Sequence, residues 1–259
     1  MLSSRVPRKI LGVIPARFAS SRFPGKVLKT IAGKSMLQHV YERASLARYV
    51  TSTIIATDDE RVYKVAREFG ARVRMTSPDH LSGTDRVAEV ASSEDASLVV
   101  NIQGDEPLID PAAIDAAILP LAHDSEIVMG TLKKLIEDSR EISDPNVVKV
   151  VTSPAGDAVY FSRSTIPFYR DGGGQGRSEA YYKHIGLYVY RRDFLMSYST
   201  LPVGPLETAE RLEQLRALEN GFRIRVVETE YDSAGVDTQE DLDRVARLFE
   251  ASAALGRPQ

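Results

Sequence analysis

The residues with the clearest chemistry lie near the start of the chain. From Ile14 to Lys26 the sequence reads IPARFASSRFPGK, which sets Arg17, Arg22 and Lys26 in a loop of small residues straight after the apolar run Ile10, Leu11, Val13 and Ile14. No Asp or Glu precedes Glu42, whereas Arg5, Arg8, Lys9, Arg17, Arg22, Lys26, Lys29 and Lys34 all do, in a chain of net charge -3. A local surplus of cations in an acidic chain calls for an anion. Two guanidinium forks and an ammonium at the end of a strand suit a polyphosphate. A solvated basic N-terminus is the alternative reading of the charge alone.

The carboxylates come next. Asp105 follows the apolar run LVVNI (98–102), inside the turn Gln103-Gly104-Asp105-Glu106-Pro107. A hard cation such as Mg²⁺ takes one or two carboxylates and completes its shell with phosphate oxygens and water. Asp105 near a basic loop fits that pattern, and a plain turn aspartate ahead of Pro107 is the alternative. Asp237 is the second candidate, although Asp-Thr-Gln-Glu also reads locally as the capped start of a helix. Arg163 interrupts the aromatic run Tyr160-Phe161-Ser162, so its guanidinium either pairs with a protein carboxylate or awaits one on a ligand. His184, beside Lys183 at the head of an apolar run, reads as a satisfied core histidine. Glu207, Glu210 and Gln214 are spaced for one face of a helix, with Glu213 next to Gln214, and a solvated face is the default there.

These residues need elements to position them. Ser35 predicts a helix cap with the helix running to about 48, 53–56 a buried strand, and Asp58 or Asp59 the cap of a helix reaching 69 and stopped by Gly70. A strand at 72–75, a loop at 80–85, a helix through 87–91, the strand 98–102 and a helix from Pro111 to about 119, ended by Pro120, complete the first half. Strands alternating with helices predict a mostly parallel sheet covered on both faces, with ligands beyond the carboxyl ends of its strands. The second half is richer in strands, at 127–131, 147–152, 158–162 and 185–190, with a hairpin turn at Ser153-Pro154-Ala155-Gly156. The glycine-rich DGGGQG at 171–176 reads as a flexible connector. A long helix is expected over 206–220, then a strand at 223–227, then a last amphipathic helix presenting Leu242, Val245, Ala246 and Leu248. One domain over 1–259 is expected, with 1–8 and 253–259 frayed.

Composition narrows the function. Without cysteine, disulfides and thiolate metal sites are excluded, and a cytoplasmic, reducing setting is expected. The four histidines form no HxxxH pair, which argues against zinc. No apolar run approaches a membrane span, and the acidic balance argues against nucleic acid as a partner. Gly33-Lys34-Ser35 resembles the end of a phosphate-binding P-loop, but Leu28 occupies the position of the earlier glycine, and there is no GxGxxG.

Taken together, IPARFASSRFPGK, SGTDR, VVNIQGDEP, YFSRSTIP, KHIGLYVY, LEQLRALENG and GVDTQEDL resemble, in order and spacing, the 3-deoxy-manno-octulosonate cytidylyltransferases, the CMP-Kdo synthetases. The resemblance runs from about Ile10 to Leu248. It implies an α/β fold of the nucleotide-diphospho-sugar transferase type, with a smaller strand-rich part in the second half for dimerisation and sugar binding, usually as a homodimer. The implied reaction joins CTP to Kdo, an eight-carbon 2-keto sugar acid, and releases pyrophosphate in lipopolysaccharide biosynthesis. By matched position, Arg17 and Lys26 would hold the triphosphate, with Arg22 helping, and Asp105 and Asp237 would bind Mg²⁺. Gln103, Arg163, His184, Glu213 and Gln214 would grip the sugar acid, with Arg163 facing its carboxylate. Ser82, Gly83 and Thr84, within the segment 82–86, would form part of the cytosine pocket. Ser77-Pro78 stands where many relatives carry an arginine, so the group reading the base edge is left open. The competing readings are a cytidylyltransferase for another acidic sugar, sialic-acid-like, or a non-catalytic nucleotide-binding module of the same fold.

Overall fold

The computed structural model describes residues 9–19, 23–170 and 180–254, with the side chains of 252–254 excepted. The calls on Arg22, on DGGGQG and on the frayed ends at 1–8 and 255–259 lie outside the described residues, whereas 253 and 254, also expected to fray, belong to the last helix. The chain gathers into two compact units, one within Val6–Asp115 and Ser233–Gln259, the other within Ala116–Asp232.

The first unit is built on β1 (Ile10–Pro15), whose core side chains are buried almost without exception. A small hairpin, β2 (Thr30–Ile31) and β3 (Lys34–Ser35), leads into α1 (Met36–Ser45). There the Ser35 side chain accepts from the Gln38 N–H, as its type predicts, and the helix stops three residues short of the expected Arg48. Then come β4 (Ser52–Thr57), α2 (Glu60–Glu68), β5 (Val73–Met75), α3 (Gly83–Ser92), β6 (Leu98–Asn101) and α4 (Pro111–His123), which passes out of this unit after Asp115. Asp59 caps α2, and Gly70 follows in the left-handed region at φ 80°. The strands lie in the order β6-β1-β4-β5, all parallel. Helices α1 and α3 both contact β1 and β4.

Two expectations change here. Helix α4 runs through Pro120 to His123. Proline removes a donor and strains a helix interior, but Ile114, Ala117, Ile118 and Leu121 are all buried on one stripe, and the turn continues as the Asp124 N–H donates to the Pro120 carbonyl. The segment 82–86 is mostly helix rather than loop, because Ser82 and Asp85 form a capping box that starts α3 at Gly83.

The second unit holds β7 (Met129–Leu135), α5 (Ser139–Ser143), β8 (Lys149–Thr152), β9 (Ala158–Ser162), β10 (Tyr182–Arg191), α6 (Arg192–Tyr198), α7 (Pro205–Glu210), α8 (Leu215–Glu219) and β11 (Ile224–Glu228). Its sheet is mixed: β7 pairs antiparallel with β10 and parallel with β11, while β8 bridges β10 and β9 antiparallel. The turn after β8 forms at Ser153–Gly156 as expected, the Gly156 N–H donating to the Ser153 carbonyl at 2.9 Å.

The long helix expected over 206–220 is broken. Arg211 takes a left-handed conformation at φ 51°, and the chain folds back into α7 and α8. Glu207 and Arg216 then meet in a bidentate pair at 2.6 and 2.8 Å. In one straight helix nine residues would separate them by roughly 13 Å along the axis. The Glu219 carboxylate likewise accepts from the Leu206 and Glu207 N–H groups, both at 2.9 Å, satisfying the start of α7. Glu207 is therefore buried and paired rather than part of a solvated face.

The chain returns to the first unit with α9 (Gln239–Ala254). Its buried stripe is Leu242, Val245 and Phe249, whereas Leu248 is exposed, so the inward face is rotated from the expected one. Phe249 meets the His39 ring at 4.4 Å between centroids.

Candidate active site

Three segments of the first unit converge past the carboxyl ends of β1 and β6. After β1 the loop turns back at Gly25, whose N–H donates to the Phe18 carbonyl at 2.8 Å. Gly25 sits at φ 69°, and a Cβ there would lie 3.0 Å from the Phe18 ring, so both backbone and space favour glycine. The turn delivers Lys26 inward. After β6, Gly104 brings the next turn close to β1, since a Cβ there would lie 3.0 Å from the Pro15 carbonyl oxygen. That contact fixes Asp105 beside the loop.

The third segment arrives from the far end of the chain. The Val236 N–H donates to the Asp105 carbonyl at 3.0 Å, and the Ser233 hydroxyl donates to Glu106 at 2.7 Å. These two bonds clamp 233–236 to the 105–106 turn and bring Asp237 alongside Asp105. The capping work expected of Asp237 is done by its neighbours: Thr238 Oγ1 accepts from the Asp241 N–H at 3.2 Å, and Asp241 accepts from the Thr238 N–H at 3.1 Å. The Asp237 carboxylate is thereby directed elsewhere.

It meets Lys26. The Lys26 ammonium donates to Asp105 Oδ2 and to Asp237 Oδ1, each at 2.7 Å. Burial alone would lower the Lys26 pKa, but the charge and hydrogen bonds of the two carboxylates outweigh it and hold the pKa above its ordinary value. Lys26 is a cation throughout the physiological range. Beside this cluster opens a cavity of about 270 Å³, lined in part by Arg17, Lys26, Gly83, Gln103 and Asp105. Arg17 also donates to the His80 carbonyl at 2.7 Å. A cleft lined by Arg17, Lys26 and Asp105, with Asp237 bonded to the same lysine, can hold a polyphosphate together with a divalent cation.

Of the predicted cytosine-pocket residues, Gly83 lines the cavity and Thr84 is buried, while Ser82 is committed to capping α3. Arg86 is 0% exposed, its guanidinium bonded to Thr76 and, at 2.6 Å, to Asp58.

In the second unit, His184 on β10 bonds through Nε2 to Thr131 Oγ1 at 2.9 Å, packs edge-on against Phe161 and also meets the Tyr188 ring. Burial pushes its imidazole down to about 3, so it is neutral. Burial also raises the Tyr188 and Tyr198 hydroxyls, and the negative Glu213 adds to both shifts, which brings Glu213 into the same neighbourhood. Tyr198 donates to the Glu213 carbonyl at 2.6 Å. Gln214 is buried, and its Nε2 meets no partner among the described residues. Arg163 donates to the carbonyls of Glu210 and Pro145 at 2.8 and 2.9 Å, and more distantly to that of Arg211. Its guanidinium thus engages main-chain carbonyls, so of the two expectations the pairing with a protein carboxylate is the one not seen among the described residues.

Glu210, read from sequence as part of a solvated helix face, is instead bonded to the end of β9. Its carboxylate accepts from the Ser162 hydroxyl at 2.6 Å and the Arg163 N–H at 2.9 Å. Its burial favours protonation, but these hydrogen bonds prevail and hold its pKa below the ordinary 4.5. With the folded pKa depressed, the stabilisation is present above the ordinary value and is lost as pH falls through the folded one. Urea unfolding between pH 5 and 3 will show wild-type stability falling more steeply than that of Glu210→Gln, which is itself less stable at pH 7 by about 1–2 kcal/mol. Parallel curves would deny the carboxylate this role.

The comparisons with known proteins agree on one family. The family described as cytidylyltransferase matches residues 11–225. The chain is 75% identical, over 97% of its length and 98% of the relative's, to the 3-deoxy-manno-octulosonate cytidylyltransferase of Solibacter usitatus. The chain belongs to the 3-deoxy-manno-octulosonate cytidylyltransferase family. The Geobacter metallireducens member is 59% identical over 92% of this chain and 96% of its own. A solved structure of CMP:2-keto-3-deoxy-manno-octonic acid synthetase complexed with CTP superposes with a TM-score of 0.89, at 43% identity, over 94% of this chain and 99% of that one. The mostly parallel sheet with flanking helices is thus the fold of this cytidylyltransferase family.

Proposed function

We propose that the protein transfers the cytidylyl group of CTP to the anomeric hydroxyl of 3-deoxy-D-manno-octulosonate, giving CMP-Kdo and pyrophosphate for lipopolysaccharide biosynthesis. The observation that carries this reading is the meeting of Lys26, Asp105 and Asp237 beside a cavity that Arg17 also lines. In the transfer the hydroxyl oxygen bonds to the α-phosphorus as the α–β phosphoanhydride bond breaks in line. Both reactants are anions, so charge neutralisation and positioning supply most of the rate.

Arg17 and Lys26 bind the triphosphate and offset its charge. The pair Asp105 and Asp237 fits Mg²⁺, because two hard carboxylate oxygens already converge on a single cation, the Lys26 ammonium. When bound, the metal would neutralise phosphate oxygens and ease ionisation of the attacking hydroxyl. Gln103, beside Asp105 in the first unit, and Arg163, His184, Glu213 and Gln214 in the second are each assigned to the sugar acid by their match to the family's motifs. Half-buried and neutral, His184 acts as a hydrogen-bonding wall and not as a charge. The working form is read as a homodimer in the cytoplasm, acting on small molecules without nucleic acid or membrane. Among the described residues no helix is long and apolar enough to cross a membrane.

Pyrophosphate release from CTP tested against a panel of 2-keto sugar acids checks the activity: Kdo is expected to be used best, and preference for a sialic acid would overturn the assignment. Arg163→Ala is expected to raise the KM for Kdo by about tenfold and to leave that for CTP within about twofold. Equal effects on both substrates would contradict its place with the sugar acid.

A further inference from the structure

Lys26 stands where a divalent cation would have to stand. Its ammonium lies 2.7 Å from an oxygen of Asp105 and 2.7 Å from an oxygen of Asp237, and its side chain is 11% exposed. Mg²⁺ draws its oxygens to about 2.0–2.1 Å. The two carboxylates cannot close on a metal while the ammonium lies between them, and the two cations would repel at that separation. The carboxylates, for their part, repel each other and need some cation between them. In the protein alone, that cation is supplied by its own chain.

The lysine has somewhere else to go. It follows the tight turn at Gly25 on a flexible four-carbon stem, and Arg17 lines the same cavity. A triphosphate drawn to Arg17 offers the ammonium a second anion. Resting on the reading of Asp105 and Asp237 as metal ligands, we infer that Lys26 is an internal counter-cation that bars divalent metal from the nucleotide-free protein and releases the carboxylates when a nucleoside triphosphate binds. Metal and nucleotide uptake are thereby coupled, and each must strengthen the other by the same factor. The protein takes up its metal with the nucleotide and not before it.

The test is equilibrium dialysis of the full chain against MnCl₂, counting the Mn²⁺ retained with protein, with and without CTP and with no sugar acid present, so nothing turns over. Wild type, Lys26→Met and the double variant Lys26→Met/Asp105→Asn are compared, with circular dichroism to establish that each is folded, and Lys26→Gln replaces the Met variant if that one is not. Without CTP, Lys26→Met is expected to bind Mn²⁺ at least about tenfold more tightly than wild type, and the added Asp105→Asn is expected to abolish that gain. With CTP, wild type is expected to gain affinity by a similar or larger factor. Equal Mn²⁺ affinity of wild type and Lys26→Met in the absence of CTP would overturn the inference and leave the metal reading standing. Failure of wild type to retain Mn²⁺ even with CTP would overturn both.

Discussion

Asp105→Ala is expected to lower pyrophosphate release from CTP and Kdo by about a thousandfold while leaving the fold intact. The side chain is about one-third exposed, and its oxygen serves the Lys26 ammonium, not a core contact, so removing it creates no cavity. The backbone bonds that shape its turn, from Val236 N–H to the Asp105 carbonyl and from Ile102 N–H to the Val13 carbonyl, do not involve the side chain. What disappears is half of a carboxylate pair, and with it the means of concentrating positive charge against a triphosphate. Loss of a charge used chiefly in the transition state appears in kcat more than in the KM for CTP. Steady-state kinetics with a thermal melt of the same protein separates this from unfolding. A rate within about tenfold of wild type, with an unchanged melt, would remove Asp105 from the chemistry.

Asp58→Ala is expected to be among the most destabilising of single polar substitutions. Asp58 accepts from Arg86 at 2.6 Å, and Arg86 is fully buried, with Thr76 its other bonded partner and its Nε meeting none among the described residues. Removing one partner of a buried pair strands the other charge at a cost of about 3–5 kcal/mol. Asp58 keeps some solvent contact, so about 3 kcal/mol is expected, a fall in Tm of roughly 6–12 °C for a chain of this size. The double variant Asp58→Leu/Arg86→Met, which removes both charges, is expected to recover most of the loss. The pair ties the end of β4 to α3, whose first residue Gly83 lines the cavity, so activity of the single variant should fall earlier on warming. A Tm for Asp58→Ala within about 2 °C of wild type would show that Arg86 is satisfied without it.

The parts of the fold legible in sequence are those fixed by local chemistry. Ser35 and Asp59 cap the helices their types announce, Gly70 ends α2 with a positive φ, and the apolar runs become β1, β4 and β6. The basic loop and the QGDEP turn meet at one sheet edge because parallel strands point their carboxyl ends the same way. What sequence concealed was set at a distance. Locally Asp237 looks like a cap, and only Thr238 and Asp241 taking over that task, with Val236 bound to the Asp105 backbone, turns it toward Lys26. The 206–220 segment has a clear helical period, yet Arg163 and Tyr198, both outside it, claim the Glu210 and Glu213 carbonyls and the helix breaks between them. A glutamate and an arginine nine residues apart, both inside an apolar pattern, were the available signal, for they can pair only across a turn. The buried pair of Arg86 with Asp58 left no local signal, because its partners Asp58 and Thr76 lie 28 and 10 residues away.

The most direct test of the central claim measures pyrophosphate release by the wild-type protein from CTP and Kdo, with Mg²⁺ and after its removal by EDTA, with omission of each substrate in turn. Release that needs CTP, Kdo and Mg²⁺ together, restored by added Mg²⁺ and matched by CMP-Kdo formation, is the predicted result. Release that continues undiminished in EDTA, or without Kdo, would contradict it.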